Sequence, residues 1–322
     1  STMTSLLKRG LALYLSSALI YGLGVLLFQK IAYYQNMLSK ETQITLLFLY
    51  IAYVIIAPVY YLATLTRYST NKPYIFLKNI KKNIQNITTK NKLELLQEEK
   101  VAILFLGVKL FFLPLMINFF IGNFKHLGYI LNNQFMLYPF VLTLIFTLDT
   151  LIFTFGYAIE FKPLKNVVKS VEPTFFGWFV ALISYPPFNS ITGSRIPWGA
   201  NDHVFFWTST GTTIFHIIII LLLGVYLWAT FALGPKASNL TNRGIVTKFP
   251  YSIVRHPAYI CKNLVWWITL IPVMSWQFAL GMGFWSMIYF FRAFTEERHL
   301  SQDEEYKKYK KKVKWKFIPI LI

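Results

Sequence analysis

Long apolar runs alternate with short basic segments along the whole chain. Apolar residues dominate 11–28, 44–65, 101–121, 135–157, 212–233, 258–273 and 278–294. About 20 apolar residues in a helix cover the ~30 Å hydrocarbon core of a bilayer, so each of these runs predicts a membrane helix. The runs are continuous and do not alternate between apolar and polar positions. That excludes a membrane β-barrel, whose strands show a period of two. Pro58 falls inside the second run and predicts a kink there.

The basic segments set sidedness. The N-terminus carries Lys8 and Arg9, and 67–100 carries Lys78, Lys81, Lys82, Lys90 and Lys92. The segments 161–171, 234–257 and the tail after Arg292 are basic too. By the positive-inside rule all of these face the cytoplasm. The loop between the third and fourth runs holds only Lys125 as a full charge and reads as extracytoplasmic. Parity then requires one more crossing between 171 and 234, and the sole candidate is 174–189, which is short and ends in Pro186-Pro187. We read it as a full span, with a re-entrant segment as the alternative. The expectation is an all-α, multi-pass bundle of about eight spans with both termini cytoplasmic. A cytoplasmic helix over 295–313 should continue out of the last span, with Tyr306, Tyr309 and Val313 on its packed face and an ion pair between Glu304 and Lys308. Within 67–100, the stretch 74–84 is either an amphipathic helix on the membrane surface or a solvated loop.

Composition agrees with this picture. The chain of 322 residues is 55% hydrophobic and only 14% charged, with mean hydropathy +0.48. Soluble domains carry about 25% charged residues. The net charge of +19 raises the question of nucleic acid. The cations sit beside apolar runs, however, where they meet anionic lipid, so nucleic acid is set aside as a partner. The single Cys261 rules out an internal disulfide and a cysteine metal cluster, and the five histidines form no metal-ligand pattern. Ser1-Thr2 before Met3 read as a cloning remnant, and no cleavable signal is evident. Lys109 and Asp149 are charges inside spans and fall at equal depth, so they are expected to face each other. His216 falls near the outer end of its span and reads as an interface residue.

The chemistry concentrates at the C-terminal end. Pro250-Tyr251 and Val254-Arg255-His256-Pro257-Ala258-Tyr259 precede an apolar hairpin; Arg292-Ala293-Phe294-Thr295-Glu296-Glu297 and Leu300 follow it, and then come Tyr306 and Tyr309. The hairpin returns the two motifs to one side of the membrane. Proline suits a first helical turn and pushes the residue before it out of α geometry, so His256 sits at a helix start. Such a start offers N–H groups and partial positive charge to an anion. The carboxylates Glu296 and Glu297 stand opposite and can take cations or hydroxyls.

This order and spacing resembles the C-terminal signature of integral-membrane methyltransferases related to isoprenylcysteine carboxyl methyltransferase and the phospholipid methyltransferases. The likeness covers about the last 80 residues. It implies S-adenosylmethionine as methyl donor and no metal. It implies a donor pocket formed by Tyr251, His256, Pro257, Tyr259, Glu296 and Glu297, with tyrosine rings near the sulfonium. Arg255 and Arg292 become the candidate catalytic residues, holding an anionic group of acceptor or donor. Lys262, Asn263 and Trp266 share a helix face with Tyr259 and are the candidates for substrate binding; Lys262 alternatively snorkels to the interface. Residues 1–233 would serve as scaffold and substrate access, and 234–322 as the methyltransferase core of one continuous membrane domain. The acceptor would be amphiphilic, a lipid head group or a prenylated cysteine carboxylate, entering from the bilayer while the donor enters from the cytosol. Lys248-Phe249 stands where many members have a Gly-rich turn, and Cys261-Lys262-Asn263 where a small or apolar residue is usual. These departures bear on the acceptor. Two other classes compete: a sterol-reductase-like NADPH oxidoreductase, and a non-enzymatic lipid-binding or transport protein.

Overall fold

The computed structural model describes residues 2–322. Almost every element is helical, as the apolar runs require, and the chain forms two compact units, 1–121 and 122–322.

The first unit contains α1 (Met3–Lys30), α2 (Ala32–Met37), α3 (Lys40–Ala63), α4 (Lys72–Thr88) and the larger part of α5 (Gln97–Asn132). Ser39 starts α3 by accepting the amide of Thr42 at 3.1 Å, and Asn71 starts α4 by accepting that of Tyr74 at 2.9 Å. These caps satisfy amides that a helix start otherwise leaves open. Helix α3 runs unbroken through Pro58. Phe28, Tyr34, Leu38, Leu46 and Ile117 form the core. Lys109 lies over the rings of Tyr21 and Phe105, at 4.9 and 5.4 Å. Its intramembrane charge is thus met by aromatic faces of its own unit.

The second unit contains α6 (Leu137–Ala158), β1 (Ser170–Val171), α7 (Phe175–Leu182), α8 (Phe188–Gly193), α9 (Ser209–Leu233), β2 (Thr241–Asn242), α10 (Pro257–Leu270), α11 (Trp276–Leu300) and α12 (Glu304–Lys312). Helix α6 is a ruler through it. At one end the Tyr138 hydroxyl donates to the Asp202 carbonyl at 2.6 Å. At the other, Gly156 meets Ala237 so closely that a Cβ there would lie 1.8 Å from the Ala237 oxygen. The antiparallel pair β1–β2 sits at this second end, joining Ser170 to Asn242 and Val171 to Thr241. Hence 172–202 runs from one end of α6 to the other. So do α9 and α10: the Asn201 amide meets the Thr269 hydroxyl near the C-terminus of α10 at 3.3 Å.

Among the described residues, five helices are long and apolar enough to cross a membrane: α1, α3, α5, α6 and α9. The run 174–189 is not one helix. Helix α7 has 8 residues, about 12 Å, and the chain turns at Pro186-Pro187 before α8. Two successive prolines lack the N–H groups a continuous helix needs. The traverse from 172 to 202 is therefore broken. The tail also departs from expectation. Helix α11 stops at Leu300, and Asp303 starts a separate α12 by accepting the Glu305 amide at 3.0 Å. Tyr306, Tyr309 and Val313 do share one buried face, against Ile245, Tyr251 and Leu300. The Glu304 ion pair is to Lys307, at 2.6 Å, one position earlier than expected.

Candidate functional site

A cleft of about 790 Å³, open solvent included, lies at the β1–β2 end of the second unit. Its walls come mainly from four stretches, 172–181, 238–241, the entry to α10 and the C-terminal half of α11, with Phe153 and Leu233 added from α6 and α9.

Helix α11 contributes Arg292, Thr295, Glu296 and His299. The spacing i, i+3, i+4, i+7 places them on one stripe. The β1–β2 pair contributes the opposite wall. It continues as a hydrogen bond from the Glu172 amide to the Leu240 carbonyl, 2.7 Å, which brings Glu172 beside Asn239. Tyr157, near the end of α6, accepts the Asn239 amide at 2.8 Å and its side-chain Nδ2 at 2.7 Å. Glu172 is buried and accepts both the amide and the hydroxyl of Thr174, and Arg298 reaches it at 3.3 Å. Gly177 packs close under Glu172: a Cβ there would come within 2.4 Å of the Glu172 side chain and force it to shift.

The third wall is the start of α10. His256 is the N-cap residue, but its ring makes no cap hydrogen bond. Ala258 and Tyr259 line the cleft with their part of the helix start. His256 instead turns Nε2 to Glu297 Oε1, at 3.2 Å. Arg255 donates Nε to the same oxygen at 2.6 Å, and Nη1 to the carbonyls of Val313 and Lys314 at 2.9 and 2.6 Å. Lys310 and Lys316 approach Glu297 Oε2 at 3.6 and 3.5 Å. Burial would raise the Glu297 carboxyl, but the hydrogen bonds of His256 and Arg255 outweigh it and hold it well below the ordinary carboxylate range.

The adjacent glutamates therefore have different partners. Glu297 is buried in a knot with Arg255, His256, Lys310 and Lys316 that ties the Arg255-His256 turn to the C-terminal tail, and it does not line the cleft. Glu296 faces the cleft and accepts the Tyr259 hydroxyl at 2.9 Å. Tyr251 also lines the cleft; burial first, and then the charge of Glu296, pushes its hydroxyl up, so it stays a donor at neutral pH. Burial pushes the His299 imidazole down, which favours the neutral ring beside the Ser170 hydroxyl at 2.8 Å.

Arg292 forms the floor. It donates to Asn239 Oδ1 at 2.9 Å, and the rings of Tyr289, Tyr259 and Tyr185 surround its guanidinium at 4.8, 5.0 and 5.6 Å. Behind it, Tyr289 stands edge-on to Tyr259 and Trp266, at 5.4 and 5.3 Å. Lys262 lies over Trp266 and Tyr226, and Tyr226 and Thr230 donate to Asp149 at 2.9 and 2.6 Å. Asp149 thus takes its hydrogen bonds from α9 within its own unit.

Of the residues the sequence nominated, Tyr251, Arg255, His256, Pro257, Tyr259, Arg292 and Glu296 come together around the cleft. Lys262, Asn263 and Trp266 do share the face of Tyr259, yet none lines the cleft. Asn263 bridges α10 to α11, accepting the Ser286 hydroxyl at 3.0 Å. Sequence reasoning passed over Glu172, Asn239 and His299. Only His299 had a signal, seven positions after Arg292 on the same stripe. Among the described residues no group of histidine, cysteine or carboxylate side chains is placed to hold a metal ion.

Residues 208–308 match the phospholipid methyltransferase family. The matched segment holds α9, α10, α11 and so most of the cleft. No curated protein and no solved structure matches the chain.

Proposed function

We propose that this protein transfers a methyl group from S-adenosylmethionine to the head group of a membrane phospholipid. The observation that carries the reading is the pairing, inside the family-matched segment, of an uncapped helix start with an outward carboxylate across one cleft. The start of α10 presents amide donors and Glu296 presents an acceptor. That donor set suits a zwitterion: the carboxylate of the methionine moiety against the helix start, its ammonium or a ribose hydroxyl against Glu296. Arg255 and His256 act by positioning, because their polar atoms are held by Glu297 and the tail. When bound, the donor supplies an electrophilic methyl carbon that an acceptor lone pair attacks in line as the carbon–sulfur bond breaks.

The residues of this chain orient and exclude. Arg292 donates to the neutral side chain of Asn239 inside a ring of tyrosines. A buried cation so placed favours an anionic group, and a phosphodiester satisfies it. Lys262, on α10 behind this floor, adds a second positive charge near Arg292. Tyr259 and Tyr289 shield the floor from water, which strengthens these interactions.

The family match and the apolar helices support a membrane enzyme. The β1–β2 end carries Lys162, Lys165, Lys169, Lys236 and Lys248. We therefore assign this end, the cleft and both termini to the cytoplasm. With α1, α3, α5, α6, α9, α10, α11 and the broken 172–202 traverse, the count of crossings is eight. The deciding experiment incubates the purified chain with methyl-labelled S-adenosylmethionine and total membrane lipids, and then identifies the labelled species. Label in a phospholipid head group is expected. Label in no lipid, or only in a prenylcysteine carboxylate, overturns the acceptor; NADPH binding with no S-adenosylhomocysteine binding overturns the class.

A further inference from the structure

Helix α4 of the first unit is built inside out for water. Its inward side is polar: Asn79 is 5% exposed, Asn83 and Asn86 are half-buried, and Lys82 pairs with Glu99 at 2.8 Å. Its outward side is apolar: Ile80, Ile84 and Ile87 are 38, 56 and 64% exposed. These three fall within about 60° of arc at 100° per residue, so they form one stripe. The strand of chain that follows adds Leu93, Leu95 and Leu96, all exposed. In water such a helix would bury the isoleucines and expose the asparagines, because burial of apolar area is the favourable term. The arrangement is the right way round only if the outward stripe meets an apolar phase.

Charge identifies that phase. Between 67 and 100 the chain has eight basic residues and three acidic ones. Lys82 is taken by Glu99, but Lys78, Lys81, Lys90 and Lys92 are exposed. Lys81 stands about 100° round the helix from Ile80, beside the stripe. Lys90 and Lys92 lie just past the helix end, next to Leu93. A helix with isoleucines at its edge and lysines alongside lies in the plane of a membrane interface, its cations at head-group level. A second copy of the chain would bring the same lysines together, and the charge speaks against it.

We propose that α4 is an interfacial helix that selects anionic lipid. Ile80, Ile84 and Ile87 enter the acyl boundary, and Lys78, Lys81, Lys90 and Lys92 hold anionic head groups. The inference stands on the first unit alone and is independent of the methyltransferase reading.

The test uses the full-length chain in lipid nanodiscs, with bimane attached at Ile84→Cys. Cys261 is buried, so labelling goes to the introduced thiol. Quenching is compared between brominated phosphatidylglycerol and brominated phosphatidylcholine at equal mole fraction. Both should quench, with phosphatidylglycerol at least about twofold stronger because the lysines enrich it. Changing Lys78, Lys81, Lys90 and Lys92 to Gln should bring the two to parity. Absence of quenching by either lipid overturns the membrane contact and points to water or a protein on this face. Equal quenching in the parent chain, or a preference that survives the four substitutions, overturns the selectivity.

Discussion

Glu297→Gln tests the assignment of the two adjacent glutamates. In the parent, Glu297 Oε1 receives Arg255 at 2.6 Å and His256 at 3.2 Å, and two lysines stand within 3.6 Å of Oε2. The side chains of Arg255 and Glu297 are 8 and 6% exposed, so water cannot take over the lost charge. Removing one partner from a buried pair costs about 3–5 kcal/mol. Glutamine keeps one acceptor, and Arg255 keeps the carbonyls of Val313 and Lys314, so the cost falls below that range, to about 2–3 kcal/mol. For a unit of this size each kcal/mol moves Tm by about 2–4 °C, which gives a drop of about 4–12 °C at pH 7. Tm is read by the intrinsic fluorescence of the donor-free protein. The sign with pH follows from the depressed carboxyl. Folding favours the ionised form, so the stabilisation is fully present above the unfolded value of about 4.3 and is lost as pH falls through the folded one. The gap between parent and variant should hold from pH 7 to about 5 and close below that. A variant that melts within about 1 °C of the parent at pH 7 would refute the knot. If Glu297 were instead a donor ligand, the variant would lose S-adenosylhomocysteine affinity and keep its Tm.

Glu296→Gln should do the reverse: Tm stays, while calorimetric affinity for S-adenosylhomocysteine falls by about 1–3 kcal/mol, the worth of one charged hydrogen bond. Arg292→Lys keeps the charge but loses the planar fork within the tyrosine ring, so kcat should fall at least about tenfold with donor affinity little changed. Gly156→Ala forces a Cβ against the Ala237 carbonyl and should displace the 238–241 wall, lowering Tm and donor affinity together. Cysteines placed at Ser194 and Lys169 should label from opposite sides of the membrane in intact vesicles, and labelling of both from one side would refute the traverse between them.

What the sequence made legible follows from the strength of each signal. An apolar run in a membrane protein is long and redundant, so α1, α3, α5, α6 and α9 match their runs to within several residues at most ends. The traverse after Glu172 was countable only by parity. Its apolar content resembles a helix, while Pro186 and Pro187 decide the local backbone. The motif residues were legible as a group, but their division was not. Neighbours on a helix point about 100° apart, so one of Glu296 and Glu297 must turn from the cleft, and which one depends on where Arg255 lies. Glu172 and Asn239 meet through two strands of two residues each, too short for any periodicity to register. Lys262 and Trp266 were placed on the right face of α10, but at a depth where that face meets Tyr289 and not the cleft.

The tail explains why the helix start at the cleft stays open. A helix usually closes its first amides with the side chain of its own N-cap residue. Here the N-cap His256 is directed to Glu297, and the turn is instead fixed from behind, by the Arg255 amide on the Trp315 carbonyl and the His256 amide on that of Lys316, both at 3.0 Å. Pro257 holds the first helical φ without needing a hydrogen bond. The start of α10 is thus held in place by the tail, by Glu297 and by a proline, with no side chain capping the amides on the cleft side. Those amides keep their donors and their share of the helix dipole on the cleft side. The same logic accounts for the Glu-Glu pair: one carboxylate neutralises the cations that fix the turn, so its neighbour can face the cleft with Tyr259 as its one hydrogen-bond partner across α10.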